Sequence, residues 1–399
     1  MTTSYDTSLD DMAASYIQRM VDQLKEKGSI VSPAIEAAFR HVPRHPFIDH
    51  YYMQNRAGPT MKWNLVTPDQ MEQADQWLAR IYTDDALITL MSERSQPTSS
   101  SSAPCAMADM LEPLDLRPGM RVLEIGTGTG YNAAILAYLA GDPHLIFTVD
   151  LDPALTEKAR ARLDRVVGPG VTVHTGNGLD GYAQAAPYDR IIATASWYRV
   201  PLPWLDQLRP NGIIVMNLRG RLGWCGFLRV VKMGPGRAAR GIFTGGSEFM
   251  VLQEQESPSA SFVSLITEYP GRPVTERFPV TRQDFDLQQL SHSPFLLVLQ
   301  LAFPRLYQGW IKAETDIAPA MCLIDTTSET LLKFCPTAND DAWTLEIHGD
   351  RQVWEGITQV FREWQSLNDP PLTDFVVEID EKGQQFMLLP RVADARWIL

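Results

Sequence analysis

The chain has 399 residues, 45% hydrophobic and 21% charged, with a formal net charge of −13. That length predicts two domains, and the ordinary apolar fraction excludes wholesale disorder. The negative charge argues against a nucleic-acid partner, and no run approaches the roughly 18 apolar residues of a membrane span.

Residues 1–95 read as mostly helical. Tyr16, Ile17, Met20, Val21 and Leu24 recur at helical spacing, with Gly28 as a stop. Ser32-Pro33 opens a second helix that runs through Phe39 and ends before Val42-Pro43-Arg44. Thr98–Ser102 is a low-complexity serine segment between Pro97 and Pro104 and reads as a loop. From residue 105 the pattern alternates. A helix at Cys105–Leu116 precedes a short buried strand at Arg121–Ile125 and the turn Gly126-Thr-Gly-Thr-Gly130. An apolar helix at Tyr131–Leu139 and a strand at Leu145–Val149 follow, and Asp152-Pro153 caps the next helix. Further strands fall at 171–173, 190–194 and 212–216. Alternating strands and helices predict an α/β fold: a Rossmann-like, mostly parallel, doubly wound sheet covered on both faces.

Charge is unevenly spread. Residues 253–399 hold 22 acidic and 11 basic side chains, against 26 and 24 in the first 252. This asymmetry and the polar run from Gln253 predict domains at 1–252 and 253–399, the second a smaller α+β domain. In the second, Val353, Trp354, Ile357, Val360, Phe361 and Trp364 share one helix face, read as core. A hairpin of Phe375–Ile379 and Gln385–Leu389 turns at Glu381-Lys-Gly383. The four cysteines are far apart and no HExxH occurs, so neither disulfides nor a metal site is expected. With an N-terminus unlike a secretory signal, the expected location is cytoplasmic, with no membrane partner.

The glycine turn carries the first functional signal. Strand, glycine turn and helix together form a nucleotide-binding half-fold. The spacing here is GxGxG rather than the dinucleotide GxGxxG, with Tyr131 in place of the third glycine. Glu124 precedes the turn, an acidic residue suited to a cationic ligand without phosphate, and S-adenosylmethionine is such a ligand. Asp150 ends the second strand, where a carboxylate can accept both ribose hydroxyls.

Val122-Leu-Glu-Ile-Gly-Thr-Gly-Thr-Gly-Tyr-Asn132 closely resembles the first motif of the protein-L-isoaspartate O-methyltransferase family. Val42-Pro43-Arg44, Asp189–Thr194, and Leu205–Leu208 with Gly212 extend the resemblance over about residues 15–252. It implies that S-adenosyl-L-methionine is held by Glu124, Gly126, Thr127, Gly128, Gly130, Tyr131 and Asn132, with Asp150 and Leu151 at the ribose. Asn177 and Gly178 then lie at the adenine, Asn177 standing where the family carries an acid. The family's Ser-x-Pro motif, held to act at the methyl-transfer site, has two candidates. Ser95-Gln96-Pro97 looks more like the motif as often written, whereas Ser102-Ala103-Pro104 has the right spacing, with residues 105–121 filling the interval to Val122. Spacing favours Ser102 as the catalytic residue, with Ser101, Ala103, Pro104, Asp84, Thr194 and Ser196 as substrate contacts.

The C-terminal layout resembles longer members of that family from pathways making ribosomally synthesised, post-translationally modified peptides, such as graspetides and lanthipeptides. That resemblance implies methylation of an aspartate carboxylate in a macrocyclised precursor peptide, the ester closing to an aspartimide. The alternatives are repair of isoaspartyl proteins and, from another class, a cofactor-binding protein that docks a synthetase or precursor.

Overall fold

The computed structural model describes residues 4–55, 62–70, 74–93, 95–247, 249–252, 273–291, 294–311, 319–337, 342–392 and 395–399. The polar run from Gln253 lies outside them. Contacts divide the chain into two units. The first comprises Met1–Asn217, Phe227–Gln253 and Val377–Gln385; the second comprises Leu218–Gly226, Glu254–Val376 and Phe386–Leu399.

Two helices open the first unit, α1 (Ser4–Glu26) and α2 (Pro33–His41). Met20, Val21 and Leu24 of α1 are buried, and Gly28, at φ +77°, turns the chain so that Ser29 N–H reaches the Leu24 carbonyl at 3.0 Å. Ser32 caps α2 by accepting from Ile35 N–H.

Beyond residue 50 the helical expectation is met at α3 (Ala74–Ile81) but fails at the strands around it. There β1 (Tyr51–Asn55), β2 (Lys62–Val66), β3 (Leu87–Met91) and β4 (Pro97–Ser101) build an antiparallel sheet in the order β2-β1-β3-β4. Each strand has five residues, too few for a clear period of two. The serine run, expected to be a loop, forms β4 because β3 pairs along it, Leu87 with Ser101 and Met91 with Pro97. Pairing to a neighbour overrides the weak strand propensity of a Pro-Thr-Ser-Ser-Ser segment.

The α/β core follows: α4 (Pro104–Leu114), β5 (Val122–Ile125), α5 (Tyr131–Ala140), β6 (Ile146–Asp150), α6 (Pro153–Val166), β7 (Thr172–Thr175) and β8 (Tyr188–Trp197). Then come α7 (Leu202–Gln207), β9 (Leu208–Arg219), β10 (Cys225–Lys232) and β11 (Ala239–Gly245). Strand order in this unit is β7-β6-β5-β8-β9-β10-β11, and Val376–Ile379 runs beside β11. The pairs β5–β6, β6–β7 and β5–β8 are parallel, as expected, while β10–β11 is antiparallel. Every residue of β5 is buried, as a strand covered on both faces must be. The chain leaves β5 toward β6 on one side and returns on the other as β8. That reversal opens a crevice at the carboxyl end of β5, where folds of this kind take ligands.

The second unit holds β12 (Glu276–Thr281), α8 (Phe295–Ala302), β13 (Leu306–Ile311), β14 (Ala320–Asp325), β15 (Thr330–Pro336), β16 (Ala342–His348) and α9 (Arg351–Ser366). Its sheet has the order β12-β16-β15-β14-β13, every pair antiparallel. Val353, Trp354, Ile357, Phe361 and Trp364 of α9 are buried, as the apolar face required. Phe361 packs its ring 4.9 Å from Phe285 and 5.6 Å from Phe295, and Trp354 lies 5.8 Å from Phe334 on the sheet. Burying each such ring contributes roughly 2–3 kcal/mol. The stripe is therefore core, not a peptide groove.

Candidate functional site

Three glycines shape the turn after β5. Gly126, Gly128 and Gly130 have φ of +95°, +50° and +91°, values that L side chains rarely adopt. Space is equally short. A Cβ on Gly126 would stand 3.0 Å from Thr194 Oγ1, and one on Gly128 would stand 3.2 Å from the Ser100 carbonyl oxygen. The turn is tied to the next strand, with Gly126 N–H donating to the Val149 carbonyl at 2.8 Å. Gly130 offers no side chain to cap α5, so the first N–H groups of that helix are left for another acceptor.

Glu124 sits inside rather than on the surface. It is fully buried, and its carboxylate accepts from Asn132 Nδ2 at 2.7 Å and Thr148 Oγ1 at 2.6 Å. Thr148 in turn pairs with Thr127 at 2.7 Å. The carboxylate thus braces both ends of the glycine turn from beneath. Burial pushes its pKa up to about 7, against the pull of the Thr148 and Asn132 hydrogen bonds.

A stability consequence follows. The carboxyl's ordinary value is 4.5, so its folded value is the higher. The stability it contributes is then complete below about pH 4.5 and is lost as pH rises through about 7. Glu124→Gln should flatten that loss. Between about pH 5 and pH 8 the unmodified chain should lose roughly 1–3 kcal/mol more than the variant, read from denaturation at each pH.

Asp150 ends β6, and its carboxylate accepts from Gly128 N–H at 2.9 Å and Asp152 N–H at 3.3 Å. Burial raises its pKa, opposed by these backbone donors. Leu151, the next residue, is half-buried. The Asn177 side-chain oxygen accepts from Leu179 N–H at 3.1 Å. The Gly178 carbonyl takes the Trp204 indole N–H at 2.8 Å, and a Cβ there would lie 2.6 Å from Ile125 Cγ2. Among the described residues, the buried Asn132 Oδ1 at the start of α5 has no partner. Glycine cradle, uncapped helix start, unpartnered acceptor and strand-end carboxylate fit a ligand bearing an amino-acid group and a ribose.

The serine segment meets this turn at Gly128, whose α-hydrogen side faces Ser99 and Ser100. Ser102 follows β4 and is half-buried, with Pro104 opening α4 two residues on. Ser95 lies at the other end of β4, in the β3–β4 turn, where its N–H donates to the Ser92 carbonyl. Ser101 is buried and its hydroxyl accepts from Arg44 Nε at 3.2 Å. Ala103 is the residue before α4, and no side chain of its own caps that helix. Asp84 supplies a cap instead, accepting from Cys105 N–H at 2.8 Å while Lys27 pairs with its other oxygen at 2.5 Å. Burial acts to raise the Asp84 pKa, but Lys27 and the Cys105 N–H outweigh it and hold it low.

Thr194 donates to the Gly126 carbonyl at 2.9 Å and so stands at the turn. Ser196 does not share that arrangement. It is fully buried, and its hydroxyl is engaged with Asn217 Oδ1 and the Phe249 carbonyl. Sequence reasoning did not single out Thr148, whose role needs the β5–β6 register that sets it opposite Glu124. Nor did it assign work to Arg44, quoted only within a motif.

The family model described as "Protein-L-isoaspartate(D-aspartate) O-methyltransferase (PCMT)" matches residues 66–224. A protein-L-isoaspartate O-methyltransferase of Pyrococcus horikoshii is 32% identical over 220 residues, 55% of this chain and 84% of the relative. One from Ignicoccus hospitalis is 43% identical over 135 residues, 34% of this chain and 64% of the relative. A solved structure titled protein-L-isoaspartate O-methyltransferase superposes with a TM-score of 0.54 at 21% identity, covering 93% of this chain and 98% of its own. That likeness is one of fold, and it extends over nearly the whole chain.

Proposed function

The chain belongs to the protein-L-isoaspartate O-methyltransferase family, and from that premise we propose that it methylates the free carboxylate of isoaspartyl residues in proteins or peptides. It is a methyltransferase, and its cofactor is S-adenosyl-L-methionine. The observation that carries the acceptor reading is the meeting of the glycine turn with the serine strand at Gly128, just before Ser102.

When bound, the cofactor supplies an electrophilic methyl group on a sulfonium sulfur. The uncapped start of α5 and the Gly126–Gly130 turn would hold its amino-acid end, Asp150 with Leu151 its ribose, and Asn177 with Gly178 its adenine. The acceptor needs no general base, because a carboxylate is already ionised at neutral pH. The chain's task is positioning: keeping one carboxylate oxygen at attack distance and in line. Ser102 donates to the other oxygen. Thr194 holds the turn, and Asp84 holds the start of α4 and with it the approach to Ser102.

The narrower expectation, an ordinary aspartate in a macrocyclised ribosomal peptide, rests on the C-terminal unit. The likeness in fold of a structure titled protein-L-isoaspartate O-methyltransferase covers 93% of this chain, which removes much of the reason to treat that unit as a mark of peptide maturation. One assay separates the two. Purified protein with S-adenosyl-L-methionine is offered an isoaspartyl peptide, its aspartyl counterpart and a macrocyclic aspartyl peptide. Mass spectrometry should show a gain of one methylene on the isoaspartyl peptide. Methylation confined to the macrocycle, followed by loss of methanol, would replace this reading with the narrower one.

A further inference from the structure

Arg44 is fully buried, yet none of its hydrogen bonds goes to a carboxylate. Nη1 donates to the Ile81 and Thr83 carbonyls at 2.8 and 3.1 Å, and Nη2 to those of Asp85, Ser101 and Ser102 at 3.0, 3.1 and 2.9 Å. Burying a cation is costly when no carboxylate is hydrogen-bonded to it, Asp84 acting only from further off, and a hydrophobic side chain would fill the space at less expense. Burial draws its pKa down to about 10, so it remains charged at neutral pH. The cation therefore has a use that outweighs its cost.

Peptide geometry indicates that use. In a trans peptide the C=O and the following N–H point in opposite directions. With the carbonyls of Ser101 and Ser102 drawn onto Arg44, the N–H groups of Ser102 and Ala103 point away from it. Neither has a hydrogen bond among the described residues, whereas the next N–H, on Cys105, is taken by Asp84. Successive outward N–H groups backed by a cation make a seat for an anion.

We propose that Arg44 is the positioning residue of the acceptor site, holding the Ser101 and Ser102 carbonyls inward so that the N–H groups of Ser102 and Ala103 receive the acceptor carboxylate. This rests on the carboxyl-methylation reading above and adds a residue to it.

The test uses the full chain, with Arg44→Met and Arg44→Lys. For Arg44→Met, KM for an isoaspartyl peptide should rise roughly tenfold to a hundredfold, with Arg44→Lys between it and the unmodified chain. Affinity for S-adenosylhomocysteine should change less than threefold in both. A KM within twofold of the unmodified value would overturn the proposal, as would a rise matched by an equal loss of S-adenosylhomocysteine affinity, since a merely structural role lowers both. If neither variant folds, hydrogen exchange on the unmodified chain decides. Exchange at Ser102 and Ala103 should slow with the isoaspartyl peptide and S-adenosylhomocysteine present, but not with the peptide's carboxamide analogue. Equal protection by both, or by neither, overturns it. An unmodified chain that turns over no isoaspartyl peptide fails the functional reading instead.

Discussion

Ser102→Ala should slow methyl transfer roughly tenfold to a thousandfold, the range for losing one orienting donor at a reacting group. S-adenosylhomocysteine should bind almost as before, because none of the residues proposed to hold the cofactor lies in the serine segment. Ser95→Ala is the matched control. Ser95 sits in the turn joining β3 to β4, while Ser102 follows the far end of β4. A five-residue strand separates them by roughly 15–20 Å, too far for both hydroxyls to touch one carboxylate. Single-turnover rates with each variant check this. Damage by Ser95→Ala with a silent Ser102→Ala would move the acceptor site to the other end of the strand.

Asp150→Ala should weaken S-adenosylhomocysteine binding by roughly 2–4 kcal/mol, measured by calorimetry. Two losses combine. The proposed ribose contacts go, and so does the acceptor of the Gly128 N–H, which fixes the middle of the glycine turn at 2.9 Å. Asp150→Asn separates them, since its amide oxygen can still take the Gly128 N–H while the charge is lost. The asparagine variant should therefore fall between the alanine variant and the unmodified chain. Unchanged affinity in Asp150→Ala would remove Asp150 from the site.

Much of the α/β core was legible because its signals are local. The buried run at Val122–Ile125, the glycines after it and the Asp152-Pro153 cap each point to one structure, and β5, the turn and α6 occur there. The same holds for α9, whose period of apolar residues matches its buried face. The sheet at 51–101 was not legible. Its strands are short, and β4 is held by cross-strand pairing to β3 rather than by its own composition. At the site, glycine spacing pointed to the turn, but the work of Glu124 depends on neighbours brought in by register and by the start of α5. Arg44 was hidden for the same reason. Five of its six acceptors are carbonyl oxygens, and a sequence carries no mark of which carbonyls will face inward.

The first unit takes a strand from far along the chain. Val377–Gln385 belongs to it, and Gln385 exchanges two hydrogen bonds with the backbone of Val200, at 2.9 and 2.6 Å. During synthesis, therefore, the methyltransferase unit cannot complete its sheet until the ribosome has passed residue 385 and the whole intervening unit has emerged. A chain stopped at residue 252 would be more than a catalytic domain without its companion. It would lack a strand of its own sheet, with the partner edge of β11 bare and open to pairing with other chains. Gene dissection here has to follow spatial seams rather than linear ones. A version of the first unit that keeps its sheet must rejoin residues 377–385 to the rest by a designed linker.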